Sequence, residues 1–266
     1  MSTLVPLSMA DLILAAVFVL ANGVLSVVYG LGIERRLIVA ALRMVVQLAA
    51  IGFVLKLVFQ QSSPLWTMLI ALVMIGVAGW ESLARQTHRI KGPGALALGS
   101  ATLLAVGLLS TLYVTTAVIG SEPWYAPRVF LPILGMILGN ALTAVALVLE
   151  TLTTAAHTER AGIEARLAMG HKPLAAFQGI VRRALTTALM PMLNSMAVSG
   201  LVTLPGMMTG QILSGVDPVE AAKYQIMIMF VIAGSSALAA AAAAFGSVRL
   251  VVDERARLRL DRMSPR

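Results

Sequence analysis

The 266-residue chain contains no cysteine. That absence removes disulfides, thiolate metal sites and thiol nucleophiles together, and leaves the compartment open. Charge is scarce as well. Asp, Glu, Lys and Arg make up 12% of the chain, against about 25% in a soluble domain. A water-facing surface cannot be built from so few charges. No G-x-x-x-x-G-K-[ST] stretch occurs, so the chain lacks the usual phosphate loop for ATP. Its three histidines, His88, His157 and His171, fall between apolar runs. There is no His-x-x-x-His, no paired intramembrane carboxylates and no credible serine–histidine pair, which argues against an intramembrane hydrolase. The first apolar run has no basic n-region and no small-residue cleavage site, only Asp11, so it does not read as a cleavable signal.

What is present is apolar. Hydrophobic residues are 59% of the chain and the mean hydropathy is +0.90. Seven apolar runs, Met9–Val28, Leu37–Phe59, Leu65–Ala84, Ala95–Ile119, Val129–Leu149, Leu185–Leu204 and Tyr224–Val248, are each long enough to cross a hydrocarbon layer as helices. Ala-Leu-Met content and the lack of alternating polarity exclude a barrel. The expected fold is an all-α membrane protein of about seven transmembrane helices, forming one transmembrane domain over residues 1–266. Sixteen of the 20 Lys and Arg lie in the Tyr29–Arg36 loop, the Arg85–Gly94 loop, the 150–184 loop and the 249–266 tail. Only Arg128 and Lys223 lie between runs on the other side. Basic loops stay cytoplasmic, so the N-terminus is expected outside and the C-terminus inside. The basic balance, a formal +8, is thereby accounted for without nucleic acid.

The 150–184 loop carries the strongest local signal. Glu164-Ala165-Arg166-Leu167-Ala168-Met169-Gly170 suits a short helix, with Gly170 at its C′ position and Pro173 opening a second. Ile163, Leu167, Gly170, Leu174 and Phe177 recur at helical spacing. Such a face either docks on a protein partner or lies on the membrane or on its own bundle.

Glu-Ala followed by Gly at the seventh position, in the largest basic loop, resembles the coupling loop of ABC permeases. More specific are Leu134-Gly135-Met136-Ile137-Leu138-Gly139-Asn140 before the loop, and Leu204-Pro205-Gly206-Met207-Met208-Thr209-Gly210-Gln211-Ile212-Leu213 after it. Gly215-Val216-Asp217-Pro218, Lys223-Tyr224-Gln225, Glu34-Arg35-Arg36-Leu37 and Arg43-x-x-x-Gln47 extend the pattern. Together these resemble the FetB/YbbM family of ABC permeases over most of the chain. The chain departs from the family pattern at Ala126, where the family's Trp-Tyr-Asp-Pro has Asp. The resemblance implies a non-enzymatic transport subunit in the bacterial inner membrane, exporting a metal ion, with iron the family's cargo and aluminium tolerance associated with plant relatives. It implies two copies of the permease and a separate ATPase subunit that binds the ATP, with no cofactor in this chain. Glu164, Ala165, Leu167 and Gly170 are the expected ATPase contacts.

Polar residues inside the runs can be read without the resemblance. Arg43 and Gln47 share a face of the second helix, and a charge at that depth either lines a path or pairs structurally. Gly135, Gly139 and Thr143 repeat every fourth residue, which favours close helix contact, dimer contact included. Asn140 and Glu150 lie near the same face; Asn194 and Gln211 follow on later segments. These polar stripes either glue helices together or line a pathway. Met207 and Met208 offer thioethers to a metal or simply fill space. A stand-alone secondary transporter or channel, and a membrane scaffold that recruits an ATPase, remain the alternative functions.

Overall fold

The computed structural model describes residues 8–61, 63–84, 88–90 and 93–265. Arg85, Lys91 and Arg266, counted above among the basic residues, lie outside them. Ten α-helices follow in order: α1 (Met9–Val28), α2 (Glu34–Gln61), α3 (Pro64–Ala84), α4 (Pro93–Tyr113), α5 (Pro127–Thr158), α6 (Arg160–Ala168), α7 (Pro173–Ala176), α8 (Gln178–Val198), α9 (Gly206–Leu213) and α10 (Pro218–Val251). A π-helical turn, Val114–Val118, extends α4. Two three-residue strands, β1 (His88–Ile90) and β2 (Met263–Pro265), pair antiparallel.

Local chemistry sets several helix ends. Ser8 and Asp11 form a reciprocal capping box on α1, which satisfies N–H groups that the first turn leaves free. Asp217 Oδ1 accepts from the amides of Val219 and Glu220 at 2.9 and 3.2 Å, with Pro218 opening α10. Pro127 likewise opens α5, but its N-cap is Ala126, which has no side chain to cap with.

Among the described residues, six helices are long and apolar enough to cross a membrane: α1, α2, α3, α4 with its π turn, α5 and α10. Seven spans were expected, and the Leu185–Leu204 run is the one that falls short. Its helix, α8, starts earlier and carries Arg182 and Arg183. It ends at Val198, before Gly200 at φ +88°. The apolar stretch from Ala184 to Val198 reaches only about 22 Å at 1.5 Å per residue.

α5 is the axis of the molecule, with 61% of its apolar window buried, against 6% for α1 and none for α2. Ile133 and Ile137 of α5 share one apolar cluster with Ile228 and Ile232 of α10, so the two longest helices run parallel. Ala239, Ala240, Ala243 and Ala244 are fully buried in the larger cluster with α5. These methyl-sized side chains let α10 lie close against its neighbours, which is how membrane helices gain packing where lipid is as apolar as leucine. α3 and α4 meet the same way. A Cβ added at Gly79 would overlap Ser100 Oγ, and one at Gly99 would lie 2.8 Å from Ser82 Oγ. The β1–β2 pair ties the loop before α4 to the tail after α10. With α5 parallel to α10, the basic loop, the α5–α8 connection and the tail gather at one end of the bundle.

Candidate functional site

Most of α2 is exposed; Val58 reaches the main core, and two polar contacts add tethers. Near its C-terminal end, Phe59 receives the Arg128 guanidinium at 5.7 Å from the ring centroid. One helix half away, Arg43 Nη2 donates to Glu81 Oε2 of α3 at 3.1 Å. Around the Arg43–Glu81 tether the helices do not close. A cavity of about 690 Å³ opens there, lined by Arg36, Arg43 and Gln47 of α2, Glu81 of α3 and Gly135 and Gly139 of α5 among others.

Four positions singled out in the sequence therefore meet at one place. Arg43 and Gln47 face Gly135 and Gly139 across the cavity. The expected close contact at those glycines is not made within the chain. A Cβ at Gly135 would meet only the flexible tip of Met74 at 3.3 Å, and one at Gly139 would meet nothing within 4 Å. The intimate glycine contacts are instead Gly79, Gly99, Gly107 and Gly246, which lack the spacing that made α5 conspicuous. Glu81 was missed altogether. Its signal was a lone carboxylate in the third apolar run, opposite the one arginine of the second.

Beside the cavity, α5 presents a polar stripe to the outside of the chain. Gly139 and Asn140 are exposed, and Thr143, Glu150 and Thr154 half-buried. Asn140 Nδ2 donates to the Met136 carbonyl at 2.9 Å, Thr143 Oγ1 to that of Gly139 at 3.0 Å, and Thr154 Oγ1 to Glu150 Oε1 at 3.3 Å. These bonds spend donors on the helix itself. A polar stripe of this length on a membrane helix belongs against protein or water rather than hydrocarbon. Asn194 is exposed on α8 and Gln211 half-buried on α9; neither lines this cavity.

α5 leads straight into the expected coupling helix through the single residue Glu159. That helix is α6, longer by one turn at its start than the sequence suggested. Its end is a Schellman motif: the Gly170 amide donates to the Leu167 carbonyl at 3.0 Å and the His171 amide to Arg166 at 3.1 Å. Gly170, at φ +85°, holds a conformation that a side chain would strain. The apolar seam turns inward. Ile163, Leu167 and Phe177 are buried in the main core cluster. Leu167 is thus an internal anchor, and the exposed face is Ala161, Ala165, Ala168, Met169 and Gly170, with Met169 70% exposed. Glu164 pairs with Arg160 at 2.8 Å, and Arg183 of α8 holds Glu159. Arg166 Nη1 donates to the Ala176 carbonyl at 2.9 Å, tying α6 to α7.

The family model described as "Uncharacterised protein family (UPF0014)" matches residues 9–252. The chain belongs to that family. It is 34% identical over 230 residues to "UPF0014 membrane protein YjkA" of Bacillus subtilis, covering 86% of this chain and 89% of that protein. It is 34% identical over 224 residues to "Protein ALUMINUM SENSITIVE 3" of Arabidopsis thaliana, covering 84% and 79%. It is 32% identical over 228 residues to "Probable iron export permease protein FetB" of Escherichia coli, covering 86% of each. No solved structure matches the chain. The matched span of this UPF0014 member contains every helix from α1 to α10, the charged cavity and the α6 turn. Among its described residues no three His, Asp or Glu side chains gather as a metal site.

Proposed function

We propose that this protein is the membrane-spanning permease subunit of an ABC transporter, exporting a metal ion under the drive of a separate ATPase subunit. The observation that supports this reading most directly is continuity. The helix bearing the polar stripe and flanking the Arg43–Glu81 cavity runs, through one residue, into a short exposed helix with a small-residue face. Force applied to α6 at Ala165, Ala168 and Gly170 passes to α5 without an intervening flexible loop, because Ile163 and Leu167 lock α6 to the core. ATP-driven closure of the partner would then shift α5 against α2 and α3, opening or closing the cavity between them. Glu81, Arg43 and Gln47 would hold or release charge and water along that route.

Two copies fit this reading. The α5 stripe and the loosely held α2 leave polar groups that a second copy would cover, and two ATPases closing on each other would each need an α6. The basic loops favour a cytoplasmic tail end of the bundle, and with it a C-terminus inside; an N-terminus outside requires α8 to complete a seventh crossing. The bacterial inner membrane is the corresponding location, and iron, named for the Escherichia coli relative, is the first cargo to test.

The experiment is co-purification with a candidate ABC ATPase subunit, followed by ATPase and metal-transport assays in lipid vesicles. The proposal expects a stable complex whose hydrolysis is stimulated by the permease. Replacing Gly170 with Trp should abolish stimulation while the permease still inserts and elutes normally. A Gly170→Trp permease that stimulates its ATPase like the wild type would remove α6 as the coupling element.

A further inference from the structure

At the end of the bundle opposite the tail, α8, α9 and α10 enclose a second cavity of about 310 Å³. Its lining brings three methionines from three elements together: Met196 from α8, Met208 from α9 and Met229 from α10. Gln225 of α10 joins them. That side chain is only 8% exposed, and its Oε1 has no hydrogen-bond partner among the described residues. Seven of the chain's 15 methionines surround this region, since Met136, Met192, Met207 and Met227 pack in the adjoining apolar cluster together with Met196 and Met229. Of the two methionines conspicuous in the sequence, Met207 belongs to that packing and Met208 reaches the cavity.

Packing alone explains methionine but not the glutamine. A buried amide oxygen without a donor costs free energy that an apolar residue of the same shape would not. The surrounding thioethers cannot relieve it, because they donate no hydrogen bond. Ser199, also on the lining, already gives its hydroxyl proton to the Ser195 carbonyl at 2.7 Å. It therefore offers the cavity lone pairs only. The unpaired amide oxygen, the Ser199 hydroxyl oxygen and the three thioethers are electron-pair donors, and the lining holds no carboxylate. A water molecule satisfies the oxygens alone, whereas a cation engages oxygen and thioethers together. Neutral thioethers select soft, low-charge ions, whereas hard or borderline ions favour carboxylate and imidazole.

The geometry points to a binding site for a soft monovalent cation of the copper(I) and silver(I) class, held by Met196, Met208 and Met229 with the Gln225 amide oxygen. This site lies apart from the Arg43–Glu81 cavity. It bears on which cargo the proposed exporter releases, but binding to it requires no ATPase and no transport, so the two ideas fail separately.

The test uses the full chain in lipid nanodiscs and silver(I), a redox-inert stand-in for copper(I), with bound metal counted after equilibrium dialysis. The expected result is one silver ion per chain. Replacing Met196, Met208 and Met229 together with Leu should weaken binding at least tenfold. That exchange conserves volume and is tolerated by apolar cores, and an unchanged elution profile confirms the fold. Gln225→Leu alone should weaken binding severalfold while removing the buried unpaired oxygen, so it should not lower thermal stability. Met44→Leu, on α2, serves as the control and should bind as the wild type does. The site is refuted if the wild type binds no silver, if the Gln225→Leu and triple variants bind it unchanged, or if equimolar iron(II) displaces it.

Discussion

Arg43 and Glu81 lie 38 positions apart in the sequence and 3.1 Å apart in space, bridging α2 to α3 at the mouth of the larger cavity. Each is the sole acidic or basic side chain over most of its apolar helix. Their pairing sets opposite charges against each other in a segment where an isolated charge is costly.

Neutralising either partner should therefore be costly. Arg43→Gln and Glu81→Gln are each expected to lower thermal stability in detergent by about 1 kcal/mol, the upper end for an exposed pair, because the Arg43 side chain is half exposed. The double reversal Arg43→Glu with Glu81→Arg should recover at least half of that loss. Equal instability of the double and single variants would mean the pair does not tether α2.

Glycines should divide into two classes. Gly79→Leu is expected to destabilise the single chain by about 1–3 kcal/mol or more, the range for overpacking a close contact, since even a Cβ there overlaps Ser100. Gly139→Leu has open space around it and should leave the melting temperature of the monomer unchanged. Its effect should appear as a smaller dimer fraction by native mass spectrometry. Identical behaviour of the two variants would contradict this division.

Ala126 leaves the long helix α5 uncapped at its N-terminus. Ala126→Asp should stabilise the protein by about 0.5–2 kcal/mol, the range for gaining an N-cap oxygen. The same comparison gives the Asp of the family pattern a plain structural role. A melting curve that does not move would show that the Ala126 backbone is not oriented for capping.

Asp253 closes the turn after α10. It accepts from the backbone amides of Arg257 at 2.8 Å and Arg255 at 3.0 Å and pairs with the Arg257 guanidinium at 2.9 Å. The Arg257 backbone bond, ahead of the charge itself, holds its carboxyl below the usual aspartate value. The folded value lies beneath the unfolded one, so the stabilisation is present at neutral pH and above the ordinary aspartate range. It should fade as pH falls through about 4 and below. Limited proteolysis of the tail should accelerate over that window in the wild type. Asp253→Asn should digest faster at neutral pH and show little further change on acidification.

The sequence by itself determined the solvent. A chain with 12% charge and long apolar runs has no stable arrangement except helices in lipid, because every buried backbone group must then bond within its own segment. A helix end was legible where a special backbone residue acts locally, as at Gly170; the Asp217 cap and the start of α10 at Pro218 were not read from the run beginning at Tyr224. What α8 does was not legible, since hydropathy runs do not register where a helix begins; Arg182 and Arg183 enter it from the polar loop. Nor could the sequence say which way a helix faces. Ile163 and Leu167 mark an apolar face equally well for a partner or for the chain's own core, and only packing assigns it to the core. The Arg43–Glu81 pair and the Met196–Met208–Met229 cavity join residues from different helices. Side chains brought together across helices depend on crossing points and rotations set by the sum of many small packing energies, and no local pattern records that sum.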